Sequence, residues 1–133
     1  MQVAWRLDFN LSLSSFEGSI AATRSLIDLS LASPLARPPP LIFTSSIGTL
    51  AGWKDPAIAV PEEPLNDLSI SLGAGYGESK AVTERILLAA AEQTPIDTLS
   101  VRLGQMSGST TSGCWAMTDW WVEMVCIEPS HQS

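Results

Sequence analysis

Two stretches of this chain repeat one rhythm, and that rhythm restricts the folds open to it. In each, an apolar stripe at helical spacing ends near a proline, and a short run of apolar and β-branched residues follows. The first is residues 14–32, closed by Pro34, with Leu41-Ile42-Phe43-Thr44-Ser45 after the stiff Pro38-Pro39-Pro40 connector. The second is Tyr76 to Gln93, closed by Pro95, with Thr98-Leu99-Ser100-Val101-Arg102-Leu103 after it. Proline has no backbone N–H and clashes with the preceding turn, so a helix stops there. Helix, strand, loop, helix, strand, loop is the order expected of a parallel α/β sheet. The 133 residues are about one small domain, and 45% hydrophobic content is that of a globular chain.

Within the first helix, Ser14-Ser15-Phe16-Glu17 has the spacing of a capping box. Phe16, Ile20, Thr23, Ile27 and Leu31 then predict a buried stripe, with Arg24 and Asp28 on the outer side. The run Leu41–Ser45, bounded by prolines before and by Ser46 and Gly48 after, predicts a buried strand of the parallel-sheet kind. Residues 48–75, with Pro56, Pro61 and Pro64, are expected to be loop, and Glu62 and Glu63 fall in it. In the second helix Tyr76, Lys80, Thr83 and Leu87 share a face, and Glu84, Arg85 and Glu92 are expected to keep the opposite side wet. The second strand runs into a Gly/Ser loop, Gly104-Gln105-Met106-Ser107-Gly108-Ser109. Residues 115–127 read as a last helix whose Trp115, Trp120 and Trp121 serve ordinary core packing.

Charge and composition remove several function classes. Net charge is -7, the isoelectric point is near 4.4, and the seven Lys+Arg are dispersed. Nucleic acid needs a cationic surface, and anionic membranes repel an acidic one. Cys114 and Cys126 have no CxxC spacing and read as free thiols of a reducing compartment. His131 is the single histidine, so neither a metal cluster nor a Ser-His-Asp site is visible. Arg6 and Asp8 interrupt the opening before a signal-peptide core forms, and the run Ile86 to Ala91 is too short to span a bilayer. The chain is expected to be soluble and cytoplasmic.

One hexapeptide carries chemistry. Gly75-Tyr76-Gly77-Glu78-Ser79-Lys80 places a tyrosine and a lysine at i and i+4, one above the other on a helix face. A nearby ammonium favours phenolate over phenol and tunes the tyrosine as a general acid/base. The bland alternative is a half-buried tyrosine beside a snorkelling lysine. In parallel sheets, ligands sit beyond the C-terminal strand ends. Ser45-Ser46 and Gly104-Gln105 occupy those ends, so this fold would bring Ser46, the Tyr76/Lys80 pair and the 104–109 loop to one rim.

Taken in order, several stretches resemble the extended short-chain dehydrogenase/reductases. They are Ala4-Trp5-Arg6-Leu7-Asp8-Phe9-Asn10, Ser15-Phe16-Glu17, Leu26-Ile27-Asp28-Leu29, Phe43-Thr44-Ser45-Ser46-Ile47-Gly48, Val60-Pro61-Glu62-Glu63-Pro64, the Tyr76 hexapeptide, and Val101-Arg102-Leu103-Gly104-Gln105-Met106-Ser107-Gly108. More narrowly, the chain looks like the thioester reductase domains of fungal nonribosomal-peptide-synthetase-like and aminoadipate-reductase-like enzymes. The resemblance implies a partial Rossmann-like, doubly wound α/β domain over residues 1–121, with a divergent tail over 122–133. It implies Tyr76 as the catalytic tyrosine and Lys80 as the lysine that tunes it and holds the nicotinamide ribose. Ser46 would bond the substrate oxygen, with Ser45 as the fallback, and Gly104 and Gln105 would lie beside the nicotinamide. The implied reaction is hydride transfer from NADPH to an acyl thioester on the phosphopantetheine arm of a carrier domain. A hemithioacetal then collapses to an aldehyde, which is sometimes reduced again to an alcohol.

The family's Gly-rich strand-turn-helix, which seats the pyrophosphate, is not found in this sequence. Gly73-Ala74-Gly75-Tyr76-Gly77 follows no strand and is not a substitute. Gln2-Val3 stands where the family usually has a His-Asn-type dipeptide. The expectation is therefore an internal segment of a larger reductase, inactive by itself, with an open apolar sheet edge. Two alternatives stay open: a non-catalytic pseudoenzyme or interaction module, and a segment of a sugar-nucleotide epimerase or dehydratase using the same Ser/Tyr/Lys set.

Overall fold

The structure is a computed structural model, and it describes residues 5–54, 57–109 and 111–115. Two α-helices and two strands alternate: α1 (Glu17–Leu31), β1 (Leu41–Ser46), α2 (Gly75–Gln93) and β2 (Thr98–Leu103). Short 3₁₀ turns cover Leu13–Phe16, Ile47–Leu50 and Leu68–Ser71. The two strands pair in parallel, with Leu41 opposite Thr98 and Ser46 opposite Leu103. Parallel neighbours need a crossover, and the segment carrying α2 supplies it. The result is a partial Rossmann-like α/β layer: the helix-strand rhythm predicts its parallel sheet, and the family resemblance implies its Rossmann-like class.

Helix α2 is the central element. It packs against α1, both strands and all three 3₁₀ turns. Phe16, Ile27, Leu65, Ala81, Leu87 and Ile96 form the apolar core. The α1 stripe reads as expected at Phe16, Thr23 and Ile27, which are buried, while Ile20 and Leu31 are half-buried. Arg24 and Asp28 pair on the exposed side at 2.9 Å, a contact worth little in water.

Polar side chains fill much of the remaining interior. Thr49, Ser71, Ser79 and Thr83 are fully enclosed. Each donates to a nearby carbonyl: Thr49 to Ser46 at 2.9 Å, Ser71 to Thr49 at 2.7 Å, Ser79 to Tyr76 at 2.7 Å and Thr83 to Ser79 at 2.9 Å. Among the described residues, every buried side-chain nitrogen and oxygen has a partner. That is the condition for burying hydroxyls without a large desolvation penalty.

Four expectations are corrected. Ser14 does not cap α1: residues 13–16 form a 3₁₀ turn, and Phe16 holds the cap position without a side-chain bond. The Ser14 hydroxyl faces that of Ser12 at 2.9 Å instead. β1 is not buried on both faces: its burial alternates, and Ile42 is 72% exposed. α2 covers only one face of the sheet, so Ile42 and Thr44 on β1 and Leu99 and Val101 on β2 face outward. Residues 48–75 are not all loop, because two of the 3₁₀ turns lie there. Glu84 is buried, not wet, since an arginine from β2 pairs with it. The expected last helix lies largely outside the described residues, as do Trp120, Trp121, Cys126 and His131. Cys114 is a free, exposed thiol.

Candidate active site

Two glycines let the start of α2 touch other backbone, Gly77 at the chain leaving β1 and Gly75 at the chain entering the first 3₁₀ turn. A Cβ on Gly75 would collide with the Leu11–Leu13 backbone, and one on Gly77 with the Gly48 carbonyl. The first turn of α2 thus lies directly on the chain leaving β1. This contact brings Tyr76 to the end of β1. A Cβ placed on Gly48 would sit 3.3 Å from Ser46 Oγ and 3.8 Å from Tyr76 Cδ1. Ser46 Oγ accepts from the Gly48 N–H at 3.1 Å, which fixes it at the strand end and leaves its own proton to donate. The Tyr76 ring is held edge-on by Phe9 at 5.4 Å and Phe16 at 6.2 Å.

Lys80 reaches in from the next turn of α2. It is 5% exposed, and its Nζ donates to the Thr44 carbonyl at 2.7 Å. Aromatic faces surround the ammonium: Trp5 at 4.4 Å, Phe43 at 4.7 Å and Tyr76 at 5.7 Å from their centroids. Burial pushes the Lys80 pKa down to about 8. Trp5 is itself anchored, donating its indole N–H to Ser79 Oγ at 3.2 Å and meeting Phe43 edge-on at 5.5 Å.

Gly104 and Gln105 leave β2 beside this rim. Both are exposed, and a Cβ on Gly104 would lie 3.9 Å from Ile47 Cδ1. Ser45, the fallback serine, points the other way. It is 3% exposed and its hydroxyl donates to the Glu84 carboxylate. Arg102 grips the same carboxylate through Nε at 3.1 and 3.2 Å and through Nη2 at 2.7 Å. Sequence reasoning missed Trp5, Glu84 and Arg102 as parts of this region. The signal for Glu84 was its position, one turn beyond Lys80 on the same face.

Residues 6–132 match the model of an NAD-binding family described as male sterility protein. The chain belongs to this family. Among its relatives, the adenylate-forming reductase Nps11 of Serpula lacrymans is 49% identical over 123 residues, 92% of this chain and 11% of that protein. The carboxylic acid reductase of Neurospora crassa is 41% identical over 117 residues, 87% of this chain and 11% of the other. The non-canonical non-ribosomal peptide synthetase ascB of Acremonium egyptiacum is 31% identical over 119 residues, again with 11% of its length covered. The chain therefore spans about 11% of the length of these relatives. Within the family it is of the thioester reductase type, as its stretches resemble.

Membership in this NAD-binding family supports a nicotinamide cofactor. The donor set fits one end of it. A ribose diol needs cationic and hydroxyl donors, and among the described residues Lys80 donates one hydrogen bond, to the Thr44 carbonyl, of the three its ammonium can make. The glycines that open α2 offer no phosphate cradle, because the chain's own backbone fills the space beside Gly75 and Gly77. Among the described residues, no group of three or more His, Cys, Asp or Glu is placed to hold a metal ion, and no helix is long and apolar enough to cross a membrane.

Proposed function

We propose that this chain supplies the proton-handling half of an NADPH-dependent thioester reductase acting on an acyl group carried by a phosphopantetheinyl carrier domain. The observation that carries this reading is the convergence of Ser46, Tyr76 and Lys80 where α2 meets the end of β1. The cofactor, when bound, supplies the hydride. Lys80 would hold its ribose, and Gly104, where a Cβ would meet nothing nearer than Ile47 Cδ1 at 3.9 Å, would flank the nicotinamide together with the exposed Gln105.

The chain's own residues handle charge and proton. Ser46 Oγ and the Tyr76 hydroxyl would donate to the thioester carbonyl oxygen. Donors aimed at an oxygen stabilise the negative charge that builds on it as the acyl carbon is reduced. Tyr76 then gives its proton to that oxygen, and the hemithioacetal loses its thiol to leave an aldehyde. Lys80 places a positive charge beside the developing anion. Its aromatic walls exclude water and strengthen that interaction. The isolated chain is inactive in this reading, since the described residues hold no pyrophosphate seat.

The test is NADPH consumption with a carrier-bound acyl thioester by the full-length protein containing this chain. Tyr76→Phe and Ser46→Ala are expected to remove most turnover while leaving NADPH affinity nearly unchanged. Wild-type turnover in Tyr76→Phe would sink the assignment. A second reading, a non-catalytic interaction module, is favoured by the open apolar sheet face at Ile42 and Leu99. It predicts that both substitutions are silent.

A further inference from the structure

The Glu84–Arg102 pair lies beneath the rim, and its side chains are 8% and 16% exposed. A buried ion pair is an expensive way to fill space, because both charges lose water. Apolar residues of similar volume would hold the same elements together as well or better. What a carboxylate and a guanidinium add is direction. Their planar fork has one good geometry, and both partners must sit at a set distance and angle to satisfy it.

The pair's connections say what is being held. Glu84 stands on α2, one turn beyond Lys80 and on the face toward the sheet. Its carboxylate accepts from Ser45, the residue before Ser46 on β1. It also accepts three bonds from Arg102, which lies opposite Ser45 across the sheet and shortly before Gly104 on β2. Arg102 Nη1 reaches on to the Glu63 carbonyl at 3.3 Å, tying in the segment that leads back to α2. One carboxylate thus joins the helix that carries Tyr76 and Lys80 to both strands, which end at Ser46 and at Leu103, just before Gly104.

We propose that Glu84 and Arg102 are positioning residues for the Ser46/Tyr76/Lys80 site, setting the height of α2 along the strand ends rather than stabilising the fold. The proposal rests on the reading of that site given above. Neither residue touches the reacting atoms. A misplacement of ~1 Å at a reacting centre can lower turnover about a hundredfold, which is the scale of effect this role requires.

The test compares three versions of the full-length protein: wild type, Arg102→Lys, and Glu84→Leu with Arg102→Met. The double variant replaces the pair by apolar bulk, so its Tm is expected to stay within a few degrees of wild type. Its kcat, measured at an equal interval below each Tm, is expected to fall on the order of tenfold to a hundredfold. Arg102→Lys keeps the charge and loses the fork, and it should fall in the same direction. The NADPH dissociation constant should move less than kcat in both. A folded double variant with wild-type kcat overturns the proposal. If the double variant does not fold, Arg102→Lys decides on the same readouts, and its wild-type kcat overturns the proposal equally. If wild-type protein binds NADPH but turns over no thioester, the substrate reading fails on its own. Reduction of a simple aldehyde then serves as the turnover by which the variants are compared.

Discussion

Lys80 is held where its charge is penalised. Trp5, Phe43 and Tyr76 close around the ammonium, and burial lowers its pKa from the ordinary 10.5 to about 8. Between those values the unfolded chain binds the proton that the folded chain has lost. Stability therefore rises with pH across that window, and the penalty is fully present below about 8. Urea unfolding of the protein as a function of pH should show this rise, and Lys80→Met should flatten it. Activity should run the other way, because a neutral amine no longer balances charge at the substrate oxygen. Turnover is expected to fall as pH rises through about 8. At the neighbouring position, Tyr76→Phe removes the proton donor and should lower kcat by ~10²–10⁴-fold, the usual range for losing a general acid. The i, i+4 pairing of Tyr76 and Lys80 was legible from spacing alone, but the aromatic box was not. Trp5 and Phe43 arrive from distant parts of the chain, and nothing local in either stretch points to a cation. Glu84 was misread for a related reason: a carboxylate on a helix suggests water until its partner is known, and Arg102 comes from another element.

At the level of elements, both helices and both strands follow from periodicity and proline. Pro34 and Pro95 end the helical patterns, and the strands begin only a short connector later. The capping box failed because the chain enters α1 through a 3₁₀ turn that takes up Ser14 and Ser15. Reading β1 as fully buried failed because a continuous apolar run looks the same whether one face or both are covered. The entry to α2 makes its own prediction. Gly77→Ala sets a methyl group against the Gly48 carbonyl, and neither backbone can yield without moving Ser46 or Tyr76. Overpacking of this kind costs ~1–3 kcal/mol. A lowered Tm should be accompanied by a loss of turnover larger than that of Gly18→Ala, since a Cβ on Gly18 meets nothing.

At the level of the whole molecule, the described layer is one-sided. Helix α2 covers one face of the sheet, while Ile42 and Leu99 stand 72% and 56% exposed on the other. Such a face is sticky in isolation. The 133-residue chain alone is expected to self-associate in light scattering, and Ile42→Thr with Leu99→Thr should reduce this association. The family and the fold class were readable from ordered short stretches, several of which lie at a strand end or a helix start, as residues 43–48 and 75–80 do. The acyl group was not readable, since no stretch in the chain encodes its shape. In the proposed reaction Ser46, Tyr76 and Lys80 prepare a thioester carbonyl to receive hydride from a nicotinamide. A decisive experiment supplies a reductase that contains this chain with NADPH deuterated at the transferring carbon and a carrier-bound acyl thioester, then weighs the product. An aldehyde, or its alcohol, with deuterium on the former acyl carbon is expected from wild type and should be nearly lost in Tyr76→Phe. Product without deuterium, or equal labelled product from Tyr76→Phe, would contradict the proposed reaction.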